Sequence, residues 1–175
     1  MLRTYKDDKE FYASLPKKRI GAGVLLFYQH ELLIVQPTYN PGWILPGGTV
    51  QGEESPLEGL HREIKEELNI TIEPTRLLSV DYIPNLDVKG EYIQFLFAAK
   101  DLTAAQAQSI QLDPYELRDY KFAEPAVALE MLTPPVARRV ESSLEILETE
   151  GSGTLYLENG RAYFSLPKTV QKIKI

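Results

Sequence analysis

Two rhythms of hydrophobic and polar positions run along the chain. Residues 20–28 and 32–36 are nearly unbroken apolar runs rich in strand formers, with Gln29, His30 and Glu31 between them. That pattern predicts a hairpin. Residues 43–45 predict a short strand running into the turn-rich Pro46-Gly47-Gly48. Residues 77–83 and 92–99 predict paired strands joined by the polar loop 85–90, and 118–122 predicts a further strand. The helical rhythm appears at 7–14, 56–68, 103–109, 125–132 and 136–148, with Pro134-Pro135 breaking the last two apart. In the last helix Val136, Val140, Leu144 and Leu147 form one stripe. The chain then reads 154–158, Asn159-Gly160, 161–165, and Asn-Gly between two strand-like runs is a strong hairpin signal. Strands mixed with a few helices predict an α/β fold. With no repeat, low-complexity tract or dividing linker, 1–175 reads as a single domain.

The helix over 56–68 carries the densest chemistry. Ser55 fits the N-cap, Pro56 fits the first turn, and Glu58 completes a capping box. At about 100° per residue, Leu57, Leu60 and Leu68 fall within roughly 40° of Ile64 and predict the buried stripe. Glu63, Glu66 and Glu67 fall together on the flank, roughly 60° to 160° away. Three carboxylates this close repel unless a cation sits among them, and hard oxygen ligands suit Mg²⁺ or Mn²⁺ rather than zinc. The bland alternative is a solvated acidic face paired with Arg62 and Lys65. Gly59, one turn before Glu63, is expected to leave room beside a bound ion.

Composition narrows the chemistry. The chain has 175 residues, net charge −6 and no cysteine. It is long enough for a full core. Disulfides, thiolate catalysis and cysteine zinc sites are excluded, and a reducing, cytoplasmic setting is the expectation. The polar start does not read as a signal peptide, and no apolar run reaches the length of a membrane span. The acidic balance argues against a nucleic-acid polymer as partner and leaves room for a local phosphate pocket. The two histidines lack the company that Ser-His-Asp chemistry needs.

The string from Gly48 to Ile70 resembles the Nudix box, G-x5-E-x7-R-E-U-x-E-E-x-G-U, with U a bulky apolar residue. Gly48, Glu54, Arg62, Glu63, Ile64, Glu66, Glu67 and Ile70 match in order and spacing. Asn69 replaces the late glycine, and Asn is the next best residue for a left-handed helix end. The resemblance implies an α/β/α sandwich with a mixed sheet, a core over about 18–132, and a C-terminal helix and β-hairpin extension over 133–175. It implies a Mg²⁺- or Mn²⁺-dependent hydrolase that cleaves the pyrophosphate of a nucleoside diphosphate derivative by water attack.

The resemblance also implies roles for single residues. Glu63, Glu66 and Glu67 are expected metal ligands, with a backbone carbonyl of Gly47 or Gly48 as a further one. Arg62 is expected to orient the acids, and Glu54 to bind metal through water or support the loop. A carboxylate outside the box is expected as base or extra ligand: Glu116 first, then Glu91, then Asp87. Tyr39 and Trp43 are candidates for stacking on the substrate beside Gly47 and Gly48, with core packing the plainer role for Trp43. Tyr82, Tyr92 and Tyr120 share that ambiguity. Lys18 and Arg19 could meet phosphate, His30 reads as a turn residue, and His61 as surface. Pro84 lies near a position associated with ADP-ribose hydrolases in this family, which leaves the substrate open.

Two other readings compete. One is a nucleotide-binding or regulatory module that kept the fold without turnover. The other is an enzyme similar to isopentenyl diphosphate isomerase, disfavoured by the absent cysteine. A homodimer is the expectation, with helix 136–148 or the final hairpin as its interface.

Overall fold

The computed structural model describes residues 7–84, 90–148 and 153–164. After α1 (Asp8–Ser14), strands β1 (Arg19–Leu25), β2 (Phe27–Tyr28), β3 (Glu31–Pro37) and β4 (Gly47–Thr49) lead to α2 (Pro56–Leu68). Then come β5 (Pro74–Ile83), β6 (Tyr92–Ala99), α3 (Ala104–Gln108), β7 (Leu117–Ala123), α4 (Pro125–Met131), α5 (Pro134–Leu147), β8 (Leu155–Glu158) and β9 (Arg161–Ala162). A six-stranded mixed sheet has the order β4-β1-β6-β5-β8-β9, and a second sheet has the order β2-β3-β7. The expected mixed-sheet α/β sandwich is the architecture found.

Side chains alternate across the strands and build two cores. Ala22, Val24, Leu26, Leu33 and Val35 pack with Leu60, Ile64 and Leu68 of α2. Leu25, Leu32 and Ile34 pack with Ala128 of α4 and Val140 and Ile146 of α5. Helices therefore cover both faces. Leu57, expected in the buried stripe of α2, is 41% exposed, because it sits in the first turn beyond the reach of the strands. In α5 the fully covered positions are Arg139, Val140, Ser143 and Ile146, with Val136, Leu144 and Leu147 partly buried beside them.

Three element boundaries differ from the sequence expectation. Residues 20–28 are not one strand. β1 pairs with β6 and β4, then the chain crosses at Leu26 into the small sheet, where β2 pairs with β3. Both faces of this run are buried, so its hydrophobicity carries no mark of the crossing. Residues 43–45 form only isolated bridges, Ile44 to Val35 and Trp43 to Leu132, while the glycine stretch itself supplies β4. Helix α5 begins at Pro134 rather than Val136, since a first-turn proline loses no helical hydrogen bond. The loop 85–89 lies outside the described residues.

The hairpin turns follow their chemistry. Gln29 and His30 both have positive φ, as do Asn159 and Gly160. Two left-handed residues match the twist of a two-residue hairpin. The second hairpin extends the main sheet, because β8 lies parallel to β5 over Ser79–Asp81 and beyond. At Gly160 the backbone also approaches α5, and a Cβ there would meet Arg139 N and Pro135 O at 2.9 Å.

Gly160→Ala should therefore destabilise the protein by about 2 kcal/mol. Gly52→Ala, where a Cβ meets nothing within 4 Å, should stay within about 0.5 kcal/mol of the parent. Urea unfolding of the two variants checks this; equal midpoints would contradict it.

Candidate metal and active site

The site grows from the start of α2. Ser55 accepts from Glu58 N while Glu58 accepts from Ser55 N, which closes the capping box. Asn69 ends the helix at φ 55°, the left-handed conformation expected there. Between these ends α2 directs its acidic flank at β4. Gly47 has φ 124°, which only glycine adopts readily, and its N–H donates to Glu67 Oε2 at 2.8 Å. A Cβ on Gly48 would collide with the Glu63 carboxyl group. The glycine at the head of the motif therefore lets Glu63 lie against the β4 backbone. Gly59 serves a different end from the one expected: its bare Cα faces Val50 and Glu54 rather than Glu63, Glu66 or Glu67.

Glu116 arrives from the loop before β7. Gln111 N donates to Leu68 O at 3.0 Å and Asp113 N to Glu67 O at 3.2 Å. The loop thus hangs from the C-terminal carbonyls of α2 that the helix leaves unpaired. Thr38 N donates to Glu116 O at 2.8 Å, tying the same loop to the end of β3. Carboxylate oxygens of Glu63, Glu67 and Glu116 consequently lie within 4.8 Å of one another.

Arg62 braces the other side. It forms a two-pronged pair with Glu54, Nε to Oε1 at 2.7 Å and Nη2 to Oε2 at 3.0 Å. Its Nη1 donates to Glu63 Oε1 and to Glu66 Oε2, each at 2.9 Å, and Nη2 reaches Thr49 O at 3.1 Å. Glu66 is half-exposed and meets Arg62 through one oxygen. Glu54 also accepts from Gln51 N, and the Arg62 hydrogen bonds foremost hold its carboxyl below the usual range.

Electrostatics mark the cluster as uncompensated. Glu67 is only 5% exposed. Burial, opposed by the Gly47 hydrogen bond and reinforced by Glu63, Glu116 and Glu66, pushes its carboxyl up to about 8. Burial also raises Glu63, against the pull of Arg62. Such carboxylates ionise readily when a cation joins them. An all-oxygen donor set of this spacing fits Mg²⁺ or Mn²⁺.

A cleft of about 230 Å³ opens beside the cluster, lined by Tyr39, Gly47 and Gly48 at one end. The Tyr39 side chain is 77% exposed, yet loss of hydration, then Glu67, Glu116 and Glu63, raise its hydroxyl. Trp43 is not among the cleft residues; it packs on the core beside Leu132. Glu91 sits elsewhere, held by Lys18 and by Tyr82 Oη at 2.5 Å. Asp87 lies outside the described residues. Tyr120 packs edge-on against Phe122, His61 is exposed, and His30 occupies its turn. Arg19 lies over the Tyr92 ring, and both line the cleft.

Sequence reasoning missed Gln94 and Arg139 in the cleft wall, and Asp81, which is buried behind Arg139. One signal was available: Gly21 and Gly23 alternate along β1 and strip one face of side chains.

A family model described as NUDIX domain matches residues 17–143. The chain is 38% identical over 65 residues to YjhB of Bacillus subtilis (strain 168), covering 37% of this chain and 30% of that protein. It is 31% identical over 98 residues to the human 8-oxo-dGDP phosphatase NUDT18, covering 54% of this chain and 29% of that one. The chain thus spans less than a third of the length of these curated relatives. A solved MutT protein from Methanosarcina mazei Go1 superposes with a TM-score of 0.65 at 24% identity, covering 78% of this chain and all of that one.

The raised Glu67 carboxyl sets a pH dependence. Between the ordinary value of 4.5 and about 8, the folded protein holds a proton that the unfolded chain releases. Stability is thus complete below that window and is lost as pH rises through it. In chelator, unfolding free energy should fall with a slope of up to roughly 1.4 kcal/mol per pH unit. Glu67→Gln should flatten the slope, and equal slopes in both proteins would contradict the assignment.

Proposed function

The chain belongs to the Nudix family of hydrolases, and on that premise we propose that it cleaves the pyrophosphate of a nucleoside diphosphate derivative with Mg²⁺ or Mn²⁺. The observation that carries this reading is the meeting of Glu63, Glu67 and Glu116 within 4.8 Å, against the Gly47 and Gly48 backbone that lines a cleft. These three would hold the ion, with the free oxygen of Glu66 and the backbone carbonyl of Gly47 as further ligands. A divalent ion there supplies Lewis-acid chemistry, neutralising the pyrophosphate and acidifying water.

The chain's own residues do the positioning. Gly47 N–H fixes the Glu67 carboxylate from the β4 side. Arg62 fixes Glu63 and Glu66 from the other, and Glu54 anchors Arg62 to the loop. Glu116 is exposed, so it gives the cluster a face open to water. In this reading it accepts the proton of the attacking water or completes the ligand set. Tyr39 offers an exposed ring in the cleft lining, able to stack on a flat group.

The name of NUDT18 and the position of Pro84 favour different substrates, an oxidised guanine nucleotide and ADP-ribose. Both belong to the nucleoside diphosphate class proposed.

A Mg²⁺-dependent hydrolysis screen tests the proposal, using nucleoside triphosphates, oxidised nucleotides, ADP-ribose, dinucleoside polyphosphates and nucleotide sugars. Turnover should require metal and fall by at least about a hundredfold in Glu67→Gln. Glu116→Gln should raise the metal concentration for half-maximal rate by about tenfold. Ligand binding that is equal in wild type and Glu67→Gln, with no turnover anywhere, would favour the regulatory module instead.

A further inference from the structure

The cleft joins two kinds of surface. Gly47 and Gly48, which touch Glu67 and Glu63, line it together with Arg19, Gly21, Gly23, Tyr92, Gln94 and Arg139. Gly21 pairs with Gln94 across β1 and β6, and a Cβ on Gly21 would collide with the Gln94 amide. The two glycines therefore clear a floor on which Gln94 lies.

Arg139 is the unusual member. It is 5% exposed and forms an ion pair with Asp81, which is fully buried. Arginine and carboxylate commonly meet through two parallel hydrogen bonds. Here Asp81 divides its oxygens: Oδ2 accepts from Arg139 Nε at 2.7 Å, and Oδ1 accepts from Gly160 N at 3.0 Å. The outer fork of the guanidinium is left over, and Arg139 Nη2 is buried without a hydrogen-bond partner among the described residues. An unmet donor of this kind is costly, and a partner that arrives with substrate would relieve the cost.

We propose that Arg139 is a specificity-determining residue that donates through this fork to an exocyclic carbonyl of the substrate's nucleobase. Gln94 reads the same edge. The inference rests on the hydrolase reading for the carboxylate cluster beside the cleft and names the substrate class of that site. The Asp81 carboxylate already balances the arginine's charge, so the fork suits a neutral acceptor better than a phosphate. Guanine and uracil carry exocyclic carbonyl oxygens, and guanine O6 with N7 is the pair arginine commonly reads. Adenine presents an amino donor at that position. The substrate is accordingly a nucleotide whose base carries an exocyclic carbonyl, with guanine, oxidised guanine and uracil as the leading cases, rather than an adenine one.

The test is isothermal titration of GMP, UMP, AMP and inorganic phosphate into the full chain without divalent metal. Wild type and Arg139→Lys are compared; lysine keeps the charge beside Asp81 and removes the fork. Wild type should bind GMP and UMP about tenfold more tightly than AMP, and Arg139→Lys should erase that preference while leaving phosphate binding unchanged. Wild type without the preference, or binding none of the nucleotides, overturns the proposal and needs no variant to do so. An equal loss for all four ligands in a folded Arg139→Lys also overturns it, because Arg139 would then meet phosphate. The readout is metal-free binding, so a base preference without turnover would fail the hydrolase reading and leave this one standing.

Discussion

Glu67 is a carboxylate nearly sealed from water, held by the N–H of Gly47 and crowded by two other carboxylates. A buried charge without a counter-charge is among the most expensive arrangements a protein can keep. The surroundings show how the cost is met in part. The positive φ of Gly47 turns its N–H toward Glu67, and the missing Cβ of Gly48 lets Glu63 fold down beside it. Arg62 neutralises the flank that faces Glu54 and Glu66. What remains unbalanced is the face shared by Glu63, Glu67 and Glu116, and a divalent ion is the balance that an all-oxygen site accepts.

The same logic links the tail to the site. Asp81 on β5, Arg139 on α5 and Gly160 in the last hairpin meet at one buried ion pair. The C-terminal segment from α5 onward thus does more than lengthen the sheet. It packs α5 against β5, sets β8 beside β5, and places Arg139 at the far wall of the cleft. The carboxylates behind Gly47 and Gly48 and the donors of Arg19, Gln94 and Arg139 along the same cleft suit a ligand whose two ends differ in chemistry.

Much of this was legible in the sequence because it is local. The capping box, the left-handed Asn69 and the Asn159-Gly160 turn are all decided by neighbours a few residues apart. Helical spacing alone put Glu63, Glu66 and Glu67 on one flank. What was not legible depends on partners distant in sequence. The crossing at Leu26 leaves no trace because both faces of the run are buried. Glu116 could be ranked as a candidate, but its approach to Glu67 depends on a loop hung from the carbonyls of Glu67 and Leu68. Arg139 and Asp81 carry no local signal in the sequence, and only the packing of α5 on β5 buries them. The burial of Leu57 was misjudged for the same reason: periodicity gives a face, and tertiary packing decides how far that face is covered.

The central claim is that Glu63, Glu67 and Glu116 share one divalent ion. Anomalous difference density from crystals soaked in Mn²⁺ tests it most directly. A peak bounded by carboxylate oxygens of all three residues is the predicted result. A peak held by the α2 glutamates with Glu116 turned away, or no peak among them, would contradict it.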